Sequence, residues 1–185
     1  MEFIGIIPAR YQSSRFPGKP LVDIHGKTMI RRVYEQCLLS ELTRIIVATD
    51  DERIAKEVHS FGGEVIMTSE THQSGTDRIA EASEKLKLPL DAVLINIQGD
   101  EPFINPKDIN SLAACFQNKN TEIATLVKPI LTTEVLFNTN SPKVVLGINK
   151  QALYFSREAI PHLRGIDNEA YLKHQEFFQH IGIYA

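Results

Sequence analysis

Short apolar runs alternate with amphipathic stretches along the first two thirds of the chain. The runs at Phe3–Pro8, Arg44–Thr49, Glu64–Thr68 and Ala92–Gln98 have the length and β-branched content of buried strands. In the stretches between them, apolar residues recur at the spacing of a helix with one buried face. This alternation predicts an α/β fold, in which helices flank both faces of a mostly parallel central sheet.

Polar residues mark where each predicted helix begins. A Ser, Thr, Asp or Asn side chain can accept a hydrogen bond from the free N–H groups of a first turn, and proline suits that turn. The predicted starts are Thr28, one of Asp50 and Asp51, a position near Thr76 for a helix reaching about Leu86, and Asn105 with Pro106.

The pattern changes at about Glu122. The segments that follow are strand-like at Ile123–Ile130, Lys143–Ile148 and Ala152–Phe155, with one short helix near Glu134–Phe137. We therefore expect residues 1–121 to form the α/β core and residues 122–185 to form a smaller, partly antiparallel portion that closes the same domain. The sequence stops at HIGIYA inside a strand-like run, so we also expect a carboxyl-terminal part to be missing.

Composition narrows the class of protein. With 185 residues, of which 43% are hydrophobic and 23% charged, the chain is typical of a globular domain. Its net charge of −3 argues against nucleic-acid binding, and no apolar run is long enough for a membrane span or a signal peptide. Cys37 and Cys115 form no C-x-x-C motif, which favours buried thiols in a reducing, cytoplasmic compartment.

Three cations follow the first predicted strand. Arg10, Arg15 and Lys19 stand among Ser13, Ser14 and other small residues, with little apolar surface to bury. Ligands of α/β sheets bind at the carboxyl ends of the strands, and guanidinium groups suit phosphate oxygens. The loop therefore predicts a triphosphate site, although it is not a P-loop; the alternative is a solvated basic loop.

A carboxylate follows the strand Ala92–Gln98. In the sequence Q-G-D-E-P, Gly99 permits a sharp turn and Asp100 is placed at the same edge of the sheet as the basic loop. Because Mg²⁺ prefers one or two carboxylates together with phosphate oxygens and water, Asp100 is the candidate metal ligand and Glu101 the weaker one. The alternative is a turn or helix-capping aspartate.

The segment HQSGTDR offers a second polar surface. Ser74, Gly75 and Thr76 combine small side chains with free N–H groups at a predicted helix start, and Arg78 follows one turn later. The alternative is that Thr76 is simply the N-cap and Arg78 is exposed.

Three later residues have side chains that suit a binding site, and one of them is a candidate for binding a sugar acid. Arg157, in ALYFSREAIP, can hold a carboxylate in a bidentate fork, or instead pair with a neighbouring acid. His180 and Tyr184 lie four residues apart and so face the same side of a strand. The six histidines lack the ligand spacing of a zinc site.

The motifs together carry a family resemblance. The spacing of Ala9, Arg15, Pro17 and Lys19 resembles the signature loop of sugar nucleotidyltransferases. The segments IIPARYQSSRFPGKPL, IIVATDDERI, HQSGTDRIAE, NIQGDEPF, KVVL, ALYFSR and HIGIY resemble the 3-deoxy-D-manno-octulosonate (Kdo) cytidylyltransferases, or CMP-Kdo synthetases, over nearly the whole chain. HQSGT and ALYFSR are the most specific of these segments.

The resemblance implies a Rossmann-like nucleotide-diphospho-sugar transferase fold and a Mg²⁺-assisted reaction of CTP with Kdo that supplies lipopolysaccharide synthesis. It implies a homodimer, with Lys19, Arg10 and Asp100 in catalysis and Asp100 on the metal. The implied nucleotide-binding residues are Pro8, Ala9, Arg10, Ser13, Ser14, Arg15, Lys19, Ser74 and Arg78. The implied Kdo-binding residues are Gln98, Arg157, His180 and Tyr184.

Two alternatives stay open at this point. One is a cytidylyltransferase for another acidic sugar, such as sialic acid. The other is a truncated, non-catalytic CTP-binding protein, because the family's second metal aspartate lies in a carboxyl-terminal segment and this sequence stops before it.

Overall fold

The computed structural model describes residues 1–12 and 16–185. It divides into two compact units, one formed by residues 1–124 with 183–185 and the other by residues 125–182. The elements of the first unit are β1 (Phe3–Ala9), β2 (Asp23–Ile24), β3 (Lys27–Thr28), α1 (Met29–Cys37), β4 (Arg44–Thr49), α2 (Glu52–Ser60), β5 (Glu64–Met67), α3 (Gly75–Lys85), β6 (Val93–Asn96) and α4 (Pro106–Ala114).

The first unit is built on a parallel sheet with the order β5-β4-β1-β6. Ile4, Ile6 and Ile7 of β1 are at most 1% exposed, as expected of a central strand that is covered on both faces. The chain leaves β1 toward β4 and later returns to its other side as β6, so the direction of winding reverses between β1 and β6. Such a reversal opens a crevice at the carboxyl ends of the strands. The predicted fold class is confirmed.

Helix caps follow the sequence signals with one correction. Thr28 caps α1, and Asp51, rather than Asp50, caps α2 by accepting the N–H of Arg53 at 2.9 Å. The N-cap of α3 is Ser74, not Thr76 as the alternative interpretation of this segment had it, because the Ser74 side chain accepts the N–H of Asp77.

The second unit contains antiparallel strand pairs. Its elements are β7 (Thr125–Pro129), α5 (Thr133–Phe137), β8 (Lys143–Leu146), β9 (Ala152–Ser156), α6 (Tyr171–His174) and β10 (Phe178–Tyr184), whose last two residues belong to the first unit. β8 pairs with β9 and with β10. Ile130, Leu136, Tyr171 and Phe177 form its buried apolar cluster.

One expectation about the cysteines is wrong. Cys37 is fully buried on α1, and burial raises the pKa of its thiol to about 12. Cys115 is exposed at the end of α4 instead, because the buried positions of that turn are taken by Leu112 and Phe116. In the part of the chain that the structure covers, no helix is long and apolar enough to cross a bilayer.

Candidate active site

A cavity of about 570 Å³ opens where β1 and β6 end. Its lining comes from three segments of the first unit that are far apart in sequence. The lining residues are Pro8, Ala9, Arg10, Phe16, Lys19, Pro20, His72, Gln73, Ser74, Gly75, Arg78, Gln98, Gly99 and Asp100. The structure thus brings the basic loop, the HQSGTDR segment and the Q-G-D-E-P turn to one place. Ser13, Ser14 and Arg15 lie outside the described residues, and Glu101 is not in this lining.

The floor of the cavity depends on a close approach of two chain segments. A Cβ atom added to Gly99 would lie 3.0 Å from the carbonyl oxygen of Pro8, tighter than ordinary contact. Glycine at this position therefore lets the turn after β6 lie directly against the end of β1. Arg10, the residue after β1, is exposed and lines the cavity.

Gly18 determines where Lys19 is placed. It has a φ of 72°, and its N–H donates to the carbonyl of Tyr11 at 2.9 Å, which closes the basic loop. Lys19 then starts a short 3₁₀ turn, and its Nζ donates to Asp100 Oδ2 at 2.5 Å. Two groups for which the sequence predicts phosphate and metal binding are therefore paired with one another.

Asp100 can hold a metal ion only if the other ligands come from a bound substrate and from water. Within residues 1–12 and 16–185, no group of three or more His, Cys, Asp or Glu side chains is placed to hold a metal. A single accessible carboxylate beside a cationic cavity suits Mg²⁺, which takes its other ligands from phosphate oxygens and water.

The start of α3 presents a small polar surface, with a buried arginine behind it. Ser74 Oγ donates to Asp77 Oδ2 at 2.7 Å while it caps the helix. Arg78 is only 3% exposed, and its guanidinium donates to Asp50 Oδ2 at 2.6 Å and to Thr68 Oγ1. The alternative of an exposed Arg78 is therefore wrong, because Asp50 and Thr68 meet its guanidinium inside the fold.

Gln98 and Tyr184 are tied to neighbouring side chains of the first unit. Gln98 Nε2 donates to Asn96 Oδ1 at 3.3 Å, and the hydroxyl groups of Tyr184 and Thr76 share a hydrogen bond of 2.8 Å. Tyr184 lies beside β6, where its backbone is opposite Asn96. Asn96 Nδ2 is buried without a hydrogen-bond partner in the described residues.

Arg157 belongs to the second unit and is held by carbonyl groups. Its Nη1 donates to the carbonyls of Thr139 and Asn140, each at 3.2 Å. Lys143 lies next to it, is 1% exposed, and donates to the carbonyls of Asn138, Ser141 and Arg157 at 2.7 to 2.8 Å. Sequence reasoning missed Lys143, since nothing in the motif KVVL distinguishes a buried lysine from an exposed one.

His180 is a half-buried residue of the second unit. Its Nε2 shares a hydrogen bond of 2.7 Å with Thr125 Oγ1, and its ring meets the edge of Phe155 at 5.0 Å between centroids. Burial lowers the pKa of His180 from its ordinary value, because the charged form loses solvation. The imidazole is therefore neutral at pH 7.

The chain is similar in sequence and in structure to several known proteins. The profile of the family described as Cytidylyltransferase matches residues 4–185. A 3-deoxy-manno-octulosonate cytidylyltransferase of Parabacteroides distasonis is 55% identical, with the match covering 100% of this chain and 74% of the relative. The protein of that name from Bacteroides thetaiotaomicron is 56% identical with the same coverage. A solved structure of CMP:2-keto-3-deoxy-manno-octonic acid synthetase complexed with CTP matches with a TM-score of 0.89 at 41% identity, covering 100% of this chain and 73% of that one.

Proposed function

Because the chain belongs to the 3-deoxy-manno-octulosonate cytidylyltransferases, we propose that it transfers the cytidylyl group of CTP to Kdo and releases pyrophosphate. One observation carries the proposal. At the ends of β1 and β6, the cavity gathers the cationic side chains of Arg10 and Lys19 and the carboxylate of Asp100. This is the charge pattern that a triphosphate with a divalent cation requires.

The basic groups act on the triphosphate. Arg10 and Lys19 bind phosphate oxygens. The family resemblance also assigns Arg15, Ser13 and Ser14 of the same loop to nucleotide binding. As the anomeric hydroxyl of Kdo attacks the α-phosphate in line, negative charge grows on the departing pyrophosphate, and fixed cations stabilise it. Such a step needs positioning and charge stabilisation more than covalent chemistry.

Asp100 holds the divalent metal, for which Mg²⁺ is the proposed ion. When bound, Mg²⁺ supplies Lewis-acid stabilisation of phosphate charge and lowers the pKa of a hydroxyl that it contacts. Lys19 contacts only Oδ2 of Asp100, so the carboxylate still has Oδ1 to offer to the metal, and a bound cation would weaken the hold of Asp100 on Lys19 and favour contact of that lysine with the triphosphate.

The nucleoside lies against the end of β1 and the start of α3. Pro8 and Ala9 supply backbone and apolar contact, and Ser74 supplies a hydroxyl beside the free N–H groups of the helix start. Arg78 lines the cavity, but Asp50 and Thr68 already engage its guanidinium, so it orients the cytidine mainly by supporting the wall.

Four residues are assigned to Kdo. In the first unit, Gln98 and Tyr184 offer an amide and a phenol for sugar hydroxyl groups. In the second unit, Arg157 binds the sugar carboxylate and the neutral imidazole of His180 accepts or donates one hydrogen bond. We also propose that the active protein is cytoplasmic and that it is a homodimer. Sedimentation measures the oligomeric state.

The proposal is tested by measuring pyrophosphate release with CTP, Mg²⁺ and a panel of acceptors: Kdo, sialic acid and hexose 1-phosphates. We expect release with Kdo alone. Release with sialic acid instead would assign a different acidic sugar, and CTP binding without release from any acceptor would support a non-catalytic protein.

A further inference from the structure

The loop between β5 and α3 forms one wall of the cavity. A hydrogen-bond network centred on a residue that has no role in the proposed chemistry holds this loop in place. Residues His72, Gln73 and Ser74 of this loop line the cavity. Loops carry few contacts of their own, so the position of their polar groups depends on what ties them to rigid elements.

Glu81, on α3, is the centre of that network. Its Oε2 accepts the backbone N–H of Ser69 at 2.8 Å and Nε2 of His72 at 2.5 Å. Its Oε1 accepts Nζ of Lys85 at 2.8 Å, and the same Nζ donates to the carbonyl of Met67 at 2.9 Å. Met67, the last residue of β5, and Ser69 and His72 of the loop are thereby tied to one helix.

The charge on Glu81 is secure. Hydrogen bonds from Lys85, then from the Ser69 N–H and His72, lower the pKa of this carboxyl to about 2. The group is therefore ionised at any working pH and can only accept hydrogen bonds. Nε2 of His72 must accordingly carry its proton toward Glu81, which fixes the orientation of the ring.

We propose that Glu81 is a positioning residue for the choice of nucleobase, because it holds the His72–Ser74 loop where cytosine is distinguished from uracil. This inference rests on the proposed function in taking the nucleotide to be a pyrimidine triphosphate. Cytosine donates from its exocyclic amine at the position where uracil presents a carbonyl. A site separates such analogues by a large factor only when its polar groups are held in place.

The test compares dissociation constants for CTP and UTP by titration calorimetry, together with KM and kcat. For Glu81→Gln we expect CTP binding to weaken about tenfold and UTP binding to change less than about twofold, with kcat at saturating CTP changing little. Glu35→Gln is the matched control, since Glu35 also accepts hydrogen bonds from two cations, Lys27 and Arg31, but lies outside the cavity lining.

A pair of substitutions at His72 separates positioning from general damage. His72→Gln keeps a donor that can reach Glu81 and should retain more of the CTP preference than His72→Leu, which keeps none. An unchanged ratio of the CTP and UTP dissociation constants in Glu81→Gln, whether both nucleotides weaken equally or neither weakens, would overturn the inference. If the wild-type protein releases no pyrophosphate, the proposed function fails, yet the ratio of the two dissociation constants still decides the role of Glu81.

Discussion

Lys19 Nζ lies 2.5 Å from Asp100 Oδ2, and this contact joins the loop after β1 to the turn after β6 across 81 positions of sequence. The two side chains are 37% and 49% exposed, so solvent screens their attraction and the pair contributes about 0–1 kcal/mol. Replacing this ion pair by a phosphate bound to Lys19 and a cation bound to Asp100 therefore costs little free energy. The free protein keeps its candidate phosphate and metal groups together and neutralised.

Removing the lysine should weaken binding of the triphosphate. For Lys19→Met we expect the affinity for CTP to fall about tenfold or more and the affinity for CMP to change much less, because a charged phosphate contact is lost. Titration calorimetry with both nucleotides measures this. Lys27→Met is the control, since Lys27 pairs with Glu35 away from the cavity lining. An equal loss for CTP and CMP would contradict the assignment.

Removing the carboxylate should abolish metal dependence. For Asp100→Asn we expect pyrophosphate release to fall about 10²–10³-fold, because transition-state charge loses its stabilising cation. In metal-free buffer, CTP binding should stay within about threefold of wild type, since the exposed Lys19–Asp100 pair that is lost contributes only about 0–1 kcal/mol. If the variant kept more than a tenth of the wild-type rate with the same Mg²⁺ response, Asp100 would not be the metal ligand.

Lys143 should matter through the residue that it supports. Replacing it by Met removes one donor from each of three carbonyls, of which that of Asn138 still accepts the N–H of Ser141, so we expect the free energy of unfolding to fall by about 1–3 kcal/mol. We also expect the KM for Kdo to rise while the KM for CTP is unchanged, because Arg157 loses its anchor. Urea unfolding and steady-state kinetics measure the two effects, with exposed Lys173→Met as control. Equal changes in both KM values would contradict this link.

The acid limb of stability should depend on Glu81. Its pKa is lowered in the folded protein from an ordinary 4.5 to about 2, so the unfolded chain takes up a proton first as the pH falls. The stability that Glu81 contributes is complete above about pH 4.5 and is lost as the pH falls toward 2. Urea unfolding at pH 7 and pH 3 should therefore show a smaller loss for Glu81→Gln than for wild type. Parallel losses in the two proteins would exclude this contribution.

Several elements are readable from sequence because burial leaves a local pattern. The run Arg44–Thr49 predicts β4 to the residue, since a strand covered on both faces must be apolar throughout. The two-residue strands β2 and β3 and the short helix α6 have no periodicity to detect, and they were not predicted. β2 and β3 exist only as partners of one another, paired across the turn at residues 25–26, and α6 is held by the packing of Tyr171 into the apolar cluster of the second unit.

The candidate site, too, could be predicted only in part from the sequence. Motifs locate Arg10, Lys19 and Asp100 near one strand edge, because the ends of parallel strands meet there. The burial of Arg78 could not be read, because its partners Asp50 and Thr68 lie 28 and 10 positions away and meet it only in the fold. The contact between His72 and Glu81 could not be predicted either, because His72 lies in a loop whose sequence has no periodicity.

The proposed cytidylyl transfer is tested most directly by following the reaction of the protein with CTP, Mg²⁺ and Kdo by ³¹P NMR. We expect the three CTP signals to be replaced by a phosphodiester signal of CMP-Kdo and a signal of free pyrophosphate, in equal molar amounts. Unchanged CTP, or conversion to CMP without a sugar phosphodiester, would contradict it.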